Sequence, residues 1–297
     1  MTLRPETFNA SRKDGTLAGY QPRTFAVQAP RIERVIKKRL EFGASHYDRD
    51  GRLPSWMGWA AESEDLRTYL DVLLKSFSRS DPLQEAIINL AGGNVRRALE
   101  LVTTFLKSPH SESVRTIELY RNWNEEYLLP AHMFLRGVLL GEARHYHPGA
   151  SRIPNLYSIS TPDPREHFLL PCLLGRLGAE ADIAASEGYV VIDDLVQTFQ
   201  TTGFSLEQMD FALARALDGD LVETLPPDPP PRSARLTAVG AFARGRLAAD
   251  FTYLDVIIVD TPIVGSGGTR RSQGCLCDQT APRAGRTLPR VPGSSMG

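Results

Sequence analysis

Apolar residues first recur at helical spacing after Pro30. Ile32, Val35, Ile36, Leu40 and Phe42 follow an i, i+3, i+4 pattern, and Arg34, Lys37, Lys38 and Arg39 fall mostly on the other face. The spacing predicts a helix from Arg31 that Gly43 ends as a C-terminal cap, then a polar loop through Pro54. Leu66, Tyr69, Leu70, Leu73, Leu74 and Phe77 predict a second amphipathic helix. Ser80-Asp81-Pro82 is a start signal for a third, over 83–90, because proline fits the first helical turn. Gly92-Gly93 breaks it, and Asn94 can cap a fourth with Val95, Leu99, Val102 and Leu106 on its apolar face. These helices predict a small all-α bundle. Before them, residues 1–30 carry Pro5, Gly15, Gly19, Pro22 and Pro30, which predicts an extended loop with one short strand at 24–27.

The second half changes its rhythm. Further helix is expected over 111–140, interrupted at Leu129-Pro130, and residues 144–164 read as a connector. An apolar helix over 168–177 is followed by a β-type run at 189–191. Next comes a helix marked by Ile192, Leu195, Val196 and Phe199 and stopped by Gly203. Ser205 and Gln208 fit a capping box that opens a helix with Leu206, Met209, Leu213, Ala216 and Leu217 apolar. Asp218-Gly219-Asp220 turns into a strand at 221–224, and a proline-rich loop at 226–231 leads to a second strand at 235–237. This order is that of a winged helix-turn-helix domain, with the proline-rich loop as its wing. A helix over 238–249 would close it. Residues 265–297 are rich in Gly, Ser, Arg and Pro without apolar periodicity, which predicts a disordered tail and raises the reading of non-native coding sequence.

Composition narrows the class. A chain of 297 residues, 42% hydrophobic, suits two or three small globular domains. The net charge of −1 excludes a general polycation, although a local basic patch stays open. No apolar run approaches the ~20 residues that span a bilayer, and residues 1–15 lack the apolar core of a signal peptide. No membrane partner and a cytoplasmic location are therefore expected. Cys172, Cys275 and Cys277 form no disulfide framework, and Cys172 reads as a buried small hydrophobe.

The segment Leu90-Ala91-Gly92-Gly93-Asn94-Val95-Arg96-Arg97-Ala98-Leu99-Glu100-Leu101 resembles the sensor-2 motif of AAA+ ATPases. The dull alternative is a Gly-Gly turn before a surface arginine pair. Residues 30–40 are similar to the first lid helix of origin-recognition and initiator ATPases, in which a winged helix also follows the lid. Leu3-Arg4-Pro5-Glu6-Thr7-Phe8, Ile153-Pro154-Asn155-Leu156-Tyr157, residues 165–171 and residues 251–262 resemble segments of bacterial ATPases of this broad class. The resemblance covers roughly residues 1 to 264, and the order of the motifs is more specific than any one of them. It implies a mainly α fold: an AAA+ lid-like helical domain over 1–110, a helical linker over 111–154 and a winged-helix domain over 155–264, with the disordered tail from 265. It implies that Arg96, with Arg97 second, senses the terminal phosphate of ATP, a contact that suits a planar, permanently charged guanidinium.

Other chemistry is thin. No lysine follows a glycine, so there is no phosphate-binding loop. The chain is thus expected to be no enzyme by itself and to hold no cofactor alone. ATP and magnesium would enter only with a core domain, upstream of Met1 or on a partner. Asp193 in Ile192-Asp193-Asp194 reads as a helix cap, and Asp255 and Asp260 read as structural. His132, His145, His147 and His167 lack metal-ligand spacing, and Cys275 and Cys277 would need outside ligands. Two functions remain. One is a non-catalytic lid and winged-helix portion of a P-loop ATPase that senses nucleotide state and contacts protein. The other is a stand-alone winged-helix DNA-binding regulator. The candidate recognition helix carries Glu207, Asp210 and Asp218 against Arg215 alone, and only Arg232 and Arg235 make the wing edge basic. Arg215, Arg232 and Arg235 are the candidate DNA contacts, and the charge balance favours a protein partner.

Overall fold

A computed structural model describes residues 30–50, 63–123, 126–181, 188–224, 232–265 and 268–270. The expected strand at 24–27, the Leu3–Phe8 segment, the proline-rich loop at 226–231 and the tail from 271 lie outside the described residues. The architecture is mainly helical, with short strands in the second half.

Among the described residues the first half holds six helices: α1 (Ile32–Asp50), α2 (Ser63–Arg79), α3 (Asp81–Ala91), α4 (Val95–Lys107), α5 (Ser113–Asn122) and α6 (Ala131–Leu140). Their apolar stripes meet around Leu73, Leu83, Ile87, Leu90, Phe105 and Phe134, all nearly inaccessible to solvent. The Phe134 ring sits 5.3 Å from Phe105 and 6.2 Å from Phe77 by centroid. Gly137 makes that packing possible, since a Cβ there would lie 2.7 Å from the Phe105 ring. The break before α6 has a specific anchor: the Leu129 backbone N–H donates to the buried Ser76 hydroxyl at 2.8 Å. In one respect the helix pattern misled. α1 does not stop at Gly43 but runs on to Asp50. A glycine inside a helix costs about 1 kcal/mol, and buried Ile32, Ile36 and Leu40 offset more than that.

The second half opens with a short 3-10 turn, Pro164–Phe168, then α7 (Leu169–Ala181), β1 (Val190–Val191), α8 (Ile192–Thr201) and α9 (Leu206–Asp218). β2 (Val222–Thr224) and β3 (Ser233–Leu236) follow, then α10 (Ala238–Gly245), a 3-10 turn at Leu247–Ala249, and α11 (Phe251–Ile257). β3 lies between β1 and β2, antiparallel to both, with Val190 opposite Ala234 and Val222 opposite Leu236. Alternation puts Val190, Val222 and Ala234 inward, where all are buried. α10 packs on α3 and α11 on α6, so one apolar core runs through both halves.

Two further expectations are corrected. Cys172 is exposed, because Leu169, Leu170, Leu173, Leu174 and Leu177 occupy the buried stripe of α7 and leave position 172 outside it. Asp193 does not cap α8: Val191 occupies the N-cap, and Asp193 and Asp194 lie in the first turn, where acids complement the helix dipole. Within the described residues, β4 (Ile263–Gly265) pairs antiparallel with β5 (Gly268–Arg270). The β-branched Ile263, Val264 and Thr269 suit that extended backbone. Among the described residues no helix is long and apolar enough to cross a membrane.

Candidate functional site

The α3–α4 turn is built by three residues with separate tasks. Gly92 (φ 56°) and Gly93 (φ 76°) take left-handed conformations that end α3. Gly92 is also tightly placed, since a Cβ there would lie 2.9 Å from Cγ2 of Val239 on α10. Asn94 then caps α4, its Oδ1 accepting from the backbone N–H of Arg96 at 3.0 Å and of Arg97 at 3.3 Å.

The two arginines of this turn part company. Arg96 is exposed, and its guanidinium has no hydrogen bond or ion pair among the described residues. Arg97 turns inward. Its side chain is 12% exposed, and it forms an ion pair with Asp220 in the turn between α9 and β2. Its Nε is buried without a partner. The shaft lines an apolar crevice with Leu90, Pro154, Leu156, Leu221 and Val239. Asp220 is one of two non-glycine residues with positive φ among the described residues. Its turn is held by Thr237, whose hydroxyl donates to the Asp220 carbonyl at 2.6 Å.

A polar node fixes the start of α9. Ser205 and Gln208 form the expected capping box. Gln208 is buried, and its side-chain amide donates to the Thr161 hydroxyl at 2.8 Å and to Glu166 at 3.3 Å. Glu166 is only 2% exposed. Its carboxylate accepts from the backbone N–H groups of Ser160 (2.6 Å) and Thr161 (2.9 Å) and from both hydroxyls. Burial works against its charge, but the hydrogen bonds from Ser160 and Thr161 outweigh burial and hold the carboxyl below the usual range. Nearby Asp163 is lowered to about 2, chiefly by its hydrogen bonds with Arg165.

The expected DNA contacts are not brought together. Arg215 points into the protein, donating to the carbonyl of Ser158 at 3.2 Å and to that of Asn155, with its guanidinium over the Phe211 ring. Burial lowers its pKa from the ordinary value. A guanidinium committed to two backbone carbonyls is no groove contact, which corrects the expectation for Arg215. The same stretch is bound by Tyr253, whose hydroxyl donates to the Pro154 carbonyl at 2.7 Å and accepts from the Leu156 N–H at 2.8 Å. Arg232 is exposed beside β3. Arg235 forms an ion pair with Glu223 and lies over the Tyr189 ring at 4.7 Å. The outer face of α9 presents Leu206, Glu207, Asp210, Ala214 and Asp218 to solvent. With Arg215 turned inward, α9 displays three acids and no cation.

Glu166, Asp220 and Tyr253 did not stand out in the sequence as polar anchors. Asp220 and Tyr253 act on distant segments, and Glu166 ties Ser160 and Thr161, six and five residues before it, to Gln208 on α9, so spacing along one helix gives no sign of their roles. Among the described residues no three His, Cys, Asp or Glu side chains cluster as metal ligands would. Comparison of the chain with family models, with curated proteins and with solved structures finds no match.

Proposed function

We propose that this chain is the non-catalytic lid and winged-helix portion of an AAA+-type P-loop ATPase, with Arg96 reading nucleotide state and α9 facing a protein partner. The observation that carries the reading is the exposed guanidinium of Arg96 on the first turn of α4, behind a Gly-Gly turn and beside an arginine committed elsewhere. The order α7-β1-α8-α9-β2-β3, with β3 central and antiparallel, supports the winged-helix domain expected over 155–264. The six-helix first half supports a lid-like domain and its helical linker.

The chain alone is a poor receptor for ATP. Phosphates bind helix N-termini through free backbone N–H groups, and Asn94 already occupies those of Arg96 and Arg97. Arg96 can supply one charged fork but no cradle, so ATP and magnesium belong to a core domain. The acidic outer face of α9 argues for protein contact over DNA, since cations normally meet phosphate at such a helix. Two measurements test the proposal. The purified chain should neither bind nor hydrolyse ATP above background, and hydrolysis that Arg96→Ala abolishes would overturn it. The DNA upstream of the Met1 codon should encode a Gly-rich loop ending Gly-Lys-Ser or Gly-Lys-Thr, in frame or one frameshift away. An unrelated gene there counts equally against the reading.

A further inference from the structure

Two exposed helix faces carry opposite charge and have no ionic partner within the chain among the described residues. On α1, Arg34, Lys38 and Arg39 are exposed and unpaired, while Lys37 is engaged with Glu41 at 3.8 Å. On α9, Glu207, Asp210 and Asp218 are exposed and likewise unpaired. α1 packs on α2 and α4, and α9 packs on α7, α8 and β2, so each helix turns its charged face away from its own packing.

We infer that the α1 face docks α9 of a second copy of this chain, antiparallel and in one register. Residues four apart in a helix form a ridge and stand about 6 Å apart along the axis. Arg34, Lys38 and Phe42 lie on such a ridge of α1, and Leu206, Asp210, Ala214 and Asp218 lie on one of α9. Two four-residue ridges align when the helices cross at about 50°. Laid antiparallel, they bring Phe42 onto Leu206, 59% and 55% exposed, and Lys38 onto Asp210. Arg34 then lies over Ala214, whose small side chain leaves the guanidinium room to reach Asp218. Arg39 and Glu207 fall on one flank, and the Lys37–Glu41 pair falls on the other, clear of the acids. A parallel arrangement would instead set Arg34 on Leu206. All three free acids thus find cations, and the net charge of −1 puts little repulsion between copies. The two faces differ, so the contact closes into a ring of two or more copies or grows as an open chain. Two helix faces alone bury less than the roughly 1,200 Å² of tight complexes, so the contact is weak and salt-sensitive. This assignment rests on the proposed function only in giving α9 a protein partner, which it names.

The test is sedimentation velocity on the full chain, up to about 200 μM for a contact of this class. At about 50 mM salt the sedimentation coefficient should rise with concentration, and about 0.5 M salt should remove the rise. Lys38→Glu with Arg39→Glu, and separately Glu207→Lys with Asp210→Lys, should each weaken association more than about tenfold. Mixing the two reversed proteins should restore it, because each then meets a complementary face. Lys37→Gln and Lys38→Gln remove the same charge, but only Lys38→Gln should weaken association. If a reversed protein fails to fold by circular dichroism, Lys38→Gln and Asp210→Asn replace the reversals, and each should weaken association. A parent that stays monomeric at low salt overturns the docking. So do reversed proteins that associate like the parent, a mixture that stays monomeric, or equal losses from Lys37→Gln and Lys38→Gln. Neither ATP binding nor the upstream sequence bears on sedimentation, so either proposal can fail without the other.

Discussion

Replacing Glu166 by glutamine should destabilise the protein by an amount the structure bounds. The native carboxylate receives four hydrogen bonds from Ser160 and Thr161 and one from Gln208. Glutamine keeps the shape but only one acceptor oxygen. Its amide nitrogen must face either the Thr161 side or the Ser160 side. Ser160 is exposed and Thr161 half-buried, so the oxygen stays with Thr161 and the Ser160 N–H turns to water. One charge-assisted set is then lost without a fully orphaned donor, which costs about 1–2 kcal/mol. Glu166→Ala also strands Gln208 and leaves a void, about 2–4 kcal/mol. Urea unfolding at neutral pH measures both. The pH dependence follows from the lowered pKa. A carboxyl depressed in the folded state contributes its full stability above the unfolded value, near about 4.3, and loses it as pH falls through the folded value. The gap between the parent and Glu166→Gln should therefore be largest at neutral pH and close on acidification. Asp163 titrates in both proteins and cancels in the difference. A Glu166→Gln protein within about 0.5 kcal/mol of the parent at neutral pH, inside the scatter of surface substitutions, would refute the reasoning. So would a gap that stays constant into the acid range.

Gly240→Ala should abolish stable folding, because its Cβ would lie 2.0 Å from the Leu221 carbonyl oxygen, and the cost should exceed about 3 kcal/mol; a cooperative urea transition near that of the parent would count against the close approach of α10 to Leu221, the residue before β2. Duplex DNA should bind poorly at physiological salt by fluorescence anisotropy. The residue of binding should fall steeply with salt and with Arg232→Ala, whereas tight, sequence-selective binding that survives Arg232→Ala and Arg235→Ala would favour the DNA-binding regulator. Arg215→Ala should lower the unfolding midpoint without altering that anisotropy, since its guanidinium serves Asn155 and Ser158; a selective loss of DNA affinity in a fully stable variant would return Arg215 to the surface.

Local signals were legible wherever one residue type did one local thing. Asn94 caps α4, Ser205 and Gln208 make the capping box, and Ser80-Asp81-Pro82 opens α3, all as their spacing predicts. Helix ends and burial were less legible, because tertiary packing decides them. Gly43 is carried through by the apolar stripe on one side of α1, and Cys172 is exposed because five leucines outcompete it for the inner face of α7. The candidate site was legible only in part. Sequence singles out Arg96 and Arg97 as a pair, and nothing in a Gly-Gly-Asn-x-Arg-Arg string distinguishes their tasks. The distinction comes from Asp220, 123 residues away in sequence and brought to Arg97 by the fold. Arg215 fails for the same reason in reverse. On a helical wheel it is the lone cation of an acidic helix and looks like a phosphate ligand, but its partners are carbonyls of residues 155 and 158, which no periodicity of α9 can reveal. An arginine's reach of several ångströms makes it the side chain whose role spacing predicts least well. Arg215 turns inward onto the carbonyls of Asn155 and Ser158, and Arg97 turns inward past Pro154 and Leu156 to Asp220, so contacts from the Ile153–Ser158 stretch accompany both.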